Sequence, residues 1–264
     1  MSKRGSFKPL LLPLATFAAL GAAALAYAAW VRPRMLRWGA SANEATQPLP
    51  GDHLVPAPRT SFTRAITLRA APAQVWPWLV QIGSHRAGWY SYDDLDNGGV
   101  PSAASIQPEF QDLKVGDEIW AASDGTLAFA VNSLEPERAL VLSGPLDFTT
   151  AYDERRGPFG GGADALDPVR ASWAFVLVPL DEPLSRGEPL SHGEPLSRGE
   201  PHTRLLVRFR ADYAPNPLSA LAGAVLEPVS FLMERKMLLG IKARVEGFDA
   251  TINYPPGRPA AVHP

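Results

Sequence analysis

The chain has 264 residues, 25 lysines and arginines against 27 acidic residues, and a formal net charge of −2, so it is long enough for one sizeable domain with additions. Residues 1–38 hold six basic side chains and no acid, which leaves the rest with a net charge of −8 and argues against a nucleic-acid-binding surface. The chain has no cysteine, which excludes disulfides, thiolate metal ligands and a cysteine nucleophile.

A run of 23 residues without a charged side chain, residues 9–31, lies near the N-terminus. As a helix it would cover about 35 Å, enough to cross a bilayer, and Tyr27 and Trp30 near its end are typical of a membrane interface. The alternative is a signal peptide cleaved after Ala28, but the run exceeds a usual signal core and arginines follow it at once. We expect residues 1–38 to be an uncleaved, single-pass membrane anchor. Three basic side chains on each side leave the orientation open.

Three further regions are predicted from composition. Residues 39–60 are a proline-containing linker that lies along the surface of a domain comprising residues 61–248. Inside this domain, residues 182–201 repeat the hexapeptides EPLSRG and EPLSHG, a composition typical of a disordered insert within an expanded hairpin loop. Residues 249–264 form a flexible, proline-rich tail.

The domain opens with a strand followed by a short helix. Ile66 and Leu68 share one face of the strand, as expected for two-residue alternation. Pro72 suits the first turn of a helix, and Pro77 is expected to kink or shorten it. Gly83 then ends the helix.

Alternating apolar and polar side chains predict the remaining strands, and a helical pattern predicts a long helix near the C-terminus. The last helix spans residues 218–245 and is expected to be interrupted at Pro228 and stopped by Gly247. A long loop is expected at residues 149–168. Residues 113–120 are predicted as a turn that enters a strand, and the other predicted strands are residues 127–132, 139–143, 171–179 and 202–211.

Six segments of the sequence carry a resemblance to a known superfamily: RWGA at 37–40, LPGD at 49–52, VWPWLVQ at 75–81, AGWYSYD at 87–93, PEFQ at 108–111 and FLMERKML at 231–238. Together they resemble the START/Bet v 1-like superfamily, also called SRPBCC, and in particular its polyketide cyclase/dehydrase and lipid transport branch. The resemblance implies an α+β helix-grip fold, in which a curved antiparallel sheet wraps around a long C-terminal helix and encloses an apolar cavity. Members bind lipids, sterols, polyketides or hormones, and a minority are cyclases, so the resemblance implies no particular reaction.

Nine side chains are candidates for lining such a cavity. Aromatic residues supply apolar walls with polar handles, and methionines adapt to variable guests. Gly240 is expected to leave a gap beside the two methionines. For each candidate the alternative is ordinary packing or a surface role. The candidates are Trp89, Tyr90, Tyr92, Glu109, Trp173, Phe175, Phe209, Met233 and Met237.

No metal, cofactor or catalytic residue is predicted. A calcium-loop frame that begins at Asp94 places Gly99 at its sixth position but Ser105, rather than glutamate, at its twelfth. The five histidines lack the spacing of zinc ligands.

The function predicted from these features is membrane-tethered binding of an apolar small molecule or lipid. One alternative is an enzyme of the cyclase or dehydratase type that uses the same cavity, with a tyrosine or Glu109 in acid–base work. Another is a scaffold whose core is filled by Trp173, Phe175 and Phe209. The strand patterns place most charges outward, which favours binding over catalysis.

Overall fold

The computed structural model describes residues 21–146, 169–180, 201–213 and 217–247. Six strands lie in these ranges: β1 Thr60–Leu68, β2 Glu118–Trp120, β3 Ala128–Glu135, β4 Ala139–Leu146, β5 Val169–Leu180 and β6 His202–Asp212. They form one antiparallel sheet in the order β1-β6-β5-β4-β3-β2. The repeat insert lies outside the described residues, and the two strands that it joins, β5 and β6, are neighbours.

Helices flank this sheet, and the longest of them comes last in the chain. Residues 21–26 are helical and continue through a π-helical turn, Tyr27–Val31, into α1. This α+β arrangement of an antiparallel sheet and a long C-terminal helix confirms the predicted class and is consistent with a helix grip. The helices are α1 Arg32–Leu36, α2 Ala42–Thr46, α3 Pro72–Val80, α4 Asp93–Asp96 and α5 Pro217–Val245, with 3-10 turns at Asp52–Leu54 and Pro108–Phe110.

The inner face of the sheet packs against α5. Register pairs Phe175 with Val207 and Ile66 with Leu205, so alternate residues of neighbouring strands point to the same side. The C-terminal half of α5 closes this core with Met237, Leu238 and Ile241, each at most 2 % exposed.

The outer face is covered by the segment predicted as a linker. Leu49 and Leu54 pack on a small apolar cluster that includes Val141, Val176 and Leu206. The chain between α1 and β1 therefore forms an outer layer over the sheet.

Arginines of β6 hold this outer layer in place. Arg208 is 3 % exposed and donates to the carbonyl oxygens of Glu44, Ala45 and Gln47 at 2.8–3.0 Å. It also forms an ion pair of 2.7 Å with Asp52. These contacts satisfy buried carbonyl groups that would otherwise lack partners.

Two details of α5 contradict the sequence-based expectations. The helix runs without interruption through Pro228, because its packing outweighs the loss of one backbone hydrogen bond. Gly240 borders no gap, because a Cβ built there would collide with the Tyr90 carbonyl group. Glycine at this position lets α5 approach the chain around Tyr90 at backbone contact.

None of the helices in the described ranges is long and apolar enough to cross a membrane. Residues 1–20, which contain more than half of the charge-free run, lie outside those ranges.

Candidate functional site

The centre of the candidate site is an ion pair buried between β1 and α5. Arg64 Nη1 lies 3.3 Å from Glu234 Oε1, and the two side chains are 0 % and 4 % exposed. Two aromatic rings face the guanidinium, with Phe62 at 3.8 Å and Phe231 at 5.2 Å from its central carbon. Charges of this kind are almost never buried without a compensating partner, so the pair is a costly feature of the core.

Arg64 also joins three elements of the fold. Its Nε donates to the Met35 carbonyl oxygen at 3.0 Å and its Nη1 to the Ser230 carbonyl oxygen at 3.4 Å. The guanidinium therefore ties α1 and α5 to the edge strand β1. Burial lowers the pKa of Arg64 from its usual value, and the facing Glu234 carboxylate opposes that shift.

Glu234 titrates far from the usual range of a glutamate. Burial raises its pKa from 4.5 to about 7, while Arg64 and the nearby Trp173 indole act in the opposite direction. The carboxyl group is thus poised between its neutral and charged forms near neutral pH.

Three polar atoms of this site are buried and lack a hydrogen-bond partner among the described residues: Arg64 Nη2, Trp173 Nε1 and Glu234 Oε1. The ion pair and the indole contact do not meet hydrogen-bond geometry at these atoms. Because most buried polar atoms are bonded, three atoms in one cluster that are held by an ion pair and an indole contact rather than by hydrogen bonds are unusual.

An aromatic cluster adjoins the polar atoms. Trp173 stacks on Trp89 with ring centroids 5.2 Å apart and lies 5.1 Å from Phe175. Phe209 meets Trp173 edge-on at 6.4 Å and stacks on Phe62 at 5.2 Å. The predicted residues Trp89, Trp173, Phe175 and Phe209 are therefore brought together.

This cluster is not fully enclosed by the described residues. Trp173, Phe209 and Tyr213 are only partly buried although they pack on the inner core, and Met233 on α5 is half-buried as well. Phe175, by contrast, has no exposed surface. These partly buried side chains are the accessible part of the aromatic cluster among the described residues.

Three other predicted residues lie elsewhere. The Tyr90 hydroxyl donates to the Trp78 carbonyl oxygen at 3.1 Å and accepts from Gln81 Nε2 at 2.8 Å, so its bonds are internal. Burial raises the pKa of Tyr90 above its usual value. Tyr92 is 37 % exposed, and Glu109 is exposed on the turn Pro108–Phe110.

The two predicted methionines differ in environment. Met237 is 2 % exposed within the packed core, whereas Met233 is half-buried and its carbonyl oxygen accepts a hydrogen bond from Ser91 Oγ at 2.9 Å. Met233 is therefore the more accessible of the two.

The sequence patterns did not lead us to Arg64 or Glu234, although both carry a detectable signal. Arg64 lies two residues before Ile66 and four before Leu68 in β1, so its side chain points to the same, inner face of the sheet. It is an exception to the expectation that most strand charges point outward. Glu234 precedes Met237 by three residues and thus shares its side of the helix.

A separate cleft of about 270 Å³ opens on the surface and contains none of the nine predicted residues. It is lined by His85, Arg86, Asn97, Gly98, Val100 and Ser123.

Neither a protein-family model nor a curated protein matches the chain. Solved structures with partial similarity include a protein from Chromobacterium violaceum, at 15 % identity over 70 % of this chain and 96 % of that one, with a TM-score of 0.37. A protein from Arthrobacter aurescens shows 15 % identity over 74 % and 92 %, with a TM-score of 0.36. Ara h 8.0201 shows 13 % identity over 71 % and 98 %, with a TM-score of 0.30.

These TM-scores are too low for the similarities to assign a family, so the fold description rests on the strand order and the long helix. Fold and site together define an α+β domain whose antiparallel sheet and long C-terminal helix are consistent with a helix grip. A buried ion pair and a partly exposed aromatic cluster lie in this domain.

Proposed function

We propose that the protein is a membrane-tethered binding protein for an apolar small molecule or lipid that carries one polar group. The observation that carries this proposal is the set of three buried, unsatisfied polar atoms on Arg64, Trp173 and Glu234 beside half-buried aromatic rings. Each unsatisfied atom costs about 1–3 kcal/mol, which a ligand with matching polarity would recover.

We place the apolar part of the ligand between the sheet and α5, against the partly buried side chains of Trp173, Phe209 and Met233. Trp89 stacks on the Trp173 ring. Tyr90, Tyr92 and Glu109, which we predicted as ligand contacts, are not among the contacts of this proposed site, because they lie elsewhere.

The polar part of the ligand would be a hydroxyl group. Arg64 Nη2 and Trp173 Nε1 offer N–H donors, and the Glu234 carboxylate offers an acceptor. A hydroxyl group both accepts and donates, so it satisfies either N–H and the carboxylate at once. A carboxylate ligand would meet the negative charge of Glu234 and fit less well.

An enzyme of the cyclase or dehydratase type is the second candidate. It is favoured by the pKa of Glu234, about 7, which suits a general acid or base at neutral pH. Glu234 would take the acid–base role in place of Glu109, which is exposed, and of Tyr90, whose hydroxyl is internally bonded.

The tether would be residues 1–38. The charge-free run at residues 9–31 supports it, as does Trp30, which is 66 % exposed at the end of that run. An intact mass that retains residue 1 and resistance to carbonate extraction are expected. A mature N-terminus at Ala29 would contradict the tether.

Native mass spectrometry of the full chain extracted in detergent tests the binding proposal. We expect a stoichiometric apolar adduct that the variant Trp173→Ala loses, while the control Trp76→Ala, on α3, retains it. Incubation of the released molecule with fresh protein separates the two candidates. Loss of water supports a dehydratase, a changed chromatographic retention at unchanged mass supports a cyclase, and an unchanged molecule supports a binder. If no adduct forms even after incubation with a membrane lipid extract, the binding proposal is wrong.

A further inference from the structure

At one end of the domain, the N-terminal helix that ends in α1 and the long helix α5 run side by side in the same direction. Arg32 Nε lies 2.9 Å from Glu227 Oε1, and the Arg235 guanidinium lies 5.3 Å from the Trp38 ring. Between these contacts, Arg64 bridges the carbonyl oxygens of Met35 and Ser230. Residues 32–38 therefore lie alongside residues 227–235 of α5, and the two segments run in parallel.

The first charged residues of the two helices lie at the same level and pair with each other. Arg32 ends the charge-free run of residues 9–31, and Glu227 ends a second charge-free run, residues 213–226. Because the helices run in parallel, residues 21–31 and the first turns of α5 project together beyond the Arg32–Glu227 pair. At about 1.5 Å per residue, the ten charge-free residues at the start of α5 extend roughly 15 Å.

Large apolar side chains are exposed on both helices near the Arg32–Glu227 ion pair. Exposed patches of this kind on a soluble surface mark sites of interaction with a partner or a membrane. Arg34 and Arg37 follow closely, at the position where cationic side chains meet lipid phosphates. The exposed side chains are Leu25 at 72 %, Trp30 at 66 %, Val31 at 47 %, Leu226 at 53 %, Val229 at 44 % and Leu232 at 54 %.

We infer that the N-terminal turns of α5 enter the lipid headgroup layer beside residues 21–31, with the Arg32–Glu227 pair at the boundary to water. The exposed apolar side chains of the two helices would thus form a second membrane contact, in addition to the tether. This inference rests on the proposed tether, because residues 1–38 deliver the surface to the bilayer. Its consequence is that the partly buried side chains of Trp173 and Met233 are held close to the membrane, from which an apolar ligand would come.

A bilayer is favoured over a second protein copy as the occupant. The charge-free run of residues 9–31 leads directly into the exposed helix, so the chain that precedes the patch is itself apolar enough for lipid. Trp30 and the arginines after it follow the order of an interfacial segment, with aromatic side chains at headgroup level and cations just outside.

Depth-dependent quenching tests the inference. The chain lacks cysteine, so the exposed Leu226 and the control Leu239, 37 % exposed and about 20 Å further along α5, can each be labelled through a single-cysteine variant. Full-length Leu226→Cys and Leu239→Cys carry the fluorophore NBD and are reconstituted in phosphatidylcholine–phosphatidylglycerol vesicles with shallow spin-labelled lipid. Flotation of the protein together with the vesicles shows separately whether the tether holds it on the membrane.

The expected result is quenching of the Leu226→Cys label at least several-fold stronger than that of the Leu239→Cys label. Protein that floats while both labels are quenched equally weakly overturns the inference and leaves the tether intact. A Leu226→Cys label shielded from water without lipid quenching would identify a second copy instead, and protein that does not float would remove both the tether and the inference.

Discussion

The Arg64 guanidinium and the Glu234 carboxylate face each other across 3.3 Å in the interior, with both side chains at most 4 % exposed. Such a buried pair adds little or nothing to stability, because the free-energy cost of removing two charges from water is comparable to the gain from their mutual attraction. An ion pair in this place, beside an unsatisfied Trp173 N–H, is the feature on which the proposed binding site rests.

Breaking the pair should destabilise the fold more than removing it. Arg64→Met leaves Glu234 buried without its cation and should lower the free energy of unfolding by about 3–5 kcal/mol at a pH above 7. The double variant Arg64→Met/Glu234→Met should recover most of this loss. Chemical denaturation measures both, and additive losses in the double variant would contradict a coupled pair.

Stability should fall as pH rises toward neutrality. The folded state holds a proton on Glu234 up to about pH 7, whereas an unfolded glutamate releases it near 4.5. In that window the folded state binds more protons, so the free energy of unfolding decreases with rising pH. Burial likewise raises the pKa of Asp96, from 3.8 to about 6.

Glu234→Gln isolates the contribution of Glu234. Between about pH 6 and 7 Glu234 holds most of the protons that remain on these two carboxyl groups, so the variant should make the profile less steep in this range. Urea denaturation across this range provides the measurement. An unchanged slope in Glu234→Gln would show that Glu234 is ionised throughout.

The strands and the last helix follow from simple periodicity, which explains why the fold was largely predictable. Alternation along β5 and β6 is unbroken, and both faces of these strands are buried under different layers. The outer layer of residues 39–56 was harder to predict, because its attachment depends on arginines of a strand more than 150 residues away.

The candidate site was only partly predictable. Trp89, Trp173, Phe175 and Phe209 are apolar, and their grouping follows from the fold. The environment of Tyr90 was not predictable, because its hydroxyl bonds internally to Trp78 and Gln81 and its backbone has a φ of 56°. No local sequence pattern reveals that Gly240 of α5 approaches the Tyr90 backbone closely.

Two glycines of α5 offer a matched comparison. Gly240→Ala should lower the free energy of unfolding by about 1–3 kcal/mol, because the added methyl group collides with the Tyr90 backbone. Gly223→Ala meets nothing closer than the Tyr213 hydroxyl at 3.4 Å and should stabilise the helix by about 0.5–1 kcal/mol. Thermal denaturation compares them, and equal effects would contradict the close approach at Gly240.

The outer layer should detach when its main arginine is removed. Arg208→Ala deprives three carbonyl oxygens and Asp52 of their donor and should cost about 3 kcal/mol. Limited proteolysis should then cleave within residues 41–56. The control Arg138→Ala, 77 % exposed in a turn, should leave the digestion pattern unchanged. Protection of residues 41–56 in Arg208→Ala would show that apolar packing alone holds the layer.

The most direct test of the central claim compares two probes that differ by one hydroxyl group. In equilibrium dialysis against the full chain in lipid nanodiscs, with empty discs as the blank, 2-naphthol should bind about tenfold more tightly than naphthalene, the equivalent of one hydrogen bond. Trp173→Phe keeps an aromatic ring but removes the indole N–H, so it should reduce this preference, whereas the control Trp76→Phe should keep it. Equal binding of the two probes, or a preference that Trp173→Phe leaves unchanged, would contradict a binding site built on Arg64, Trp173 and Glu234.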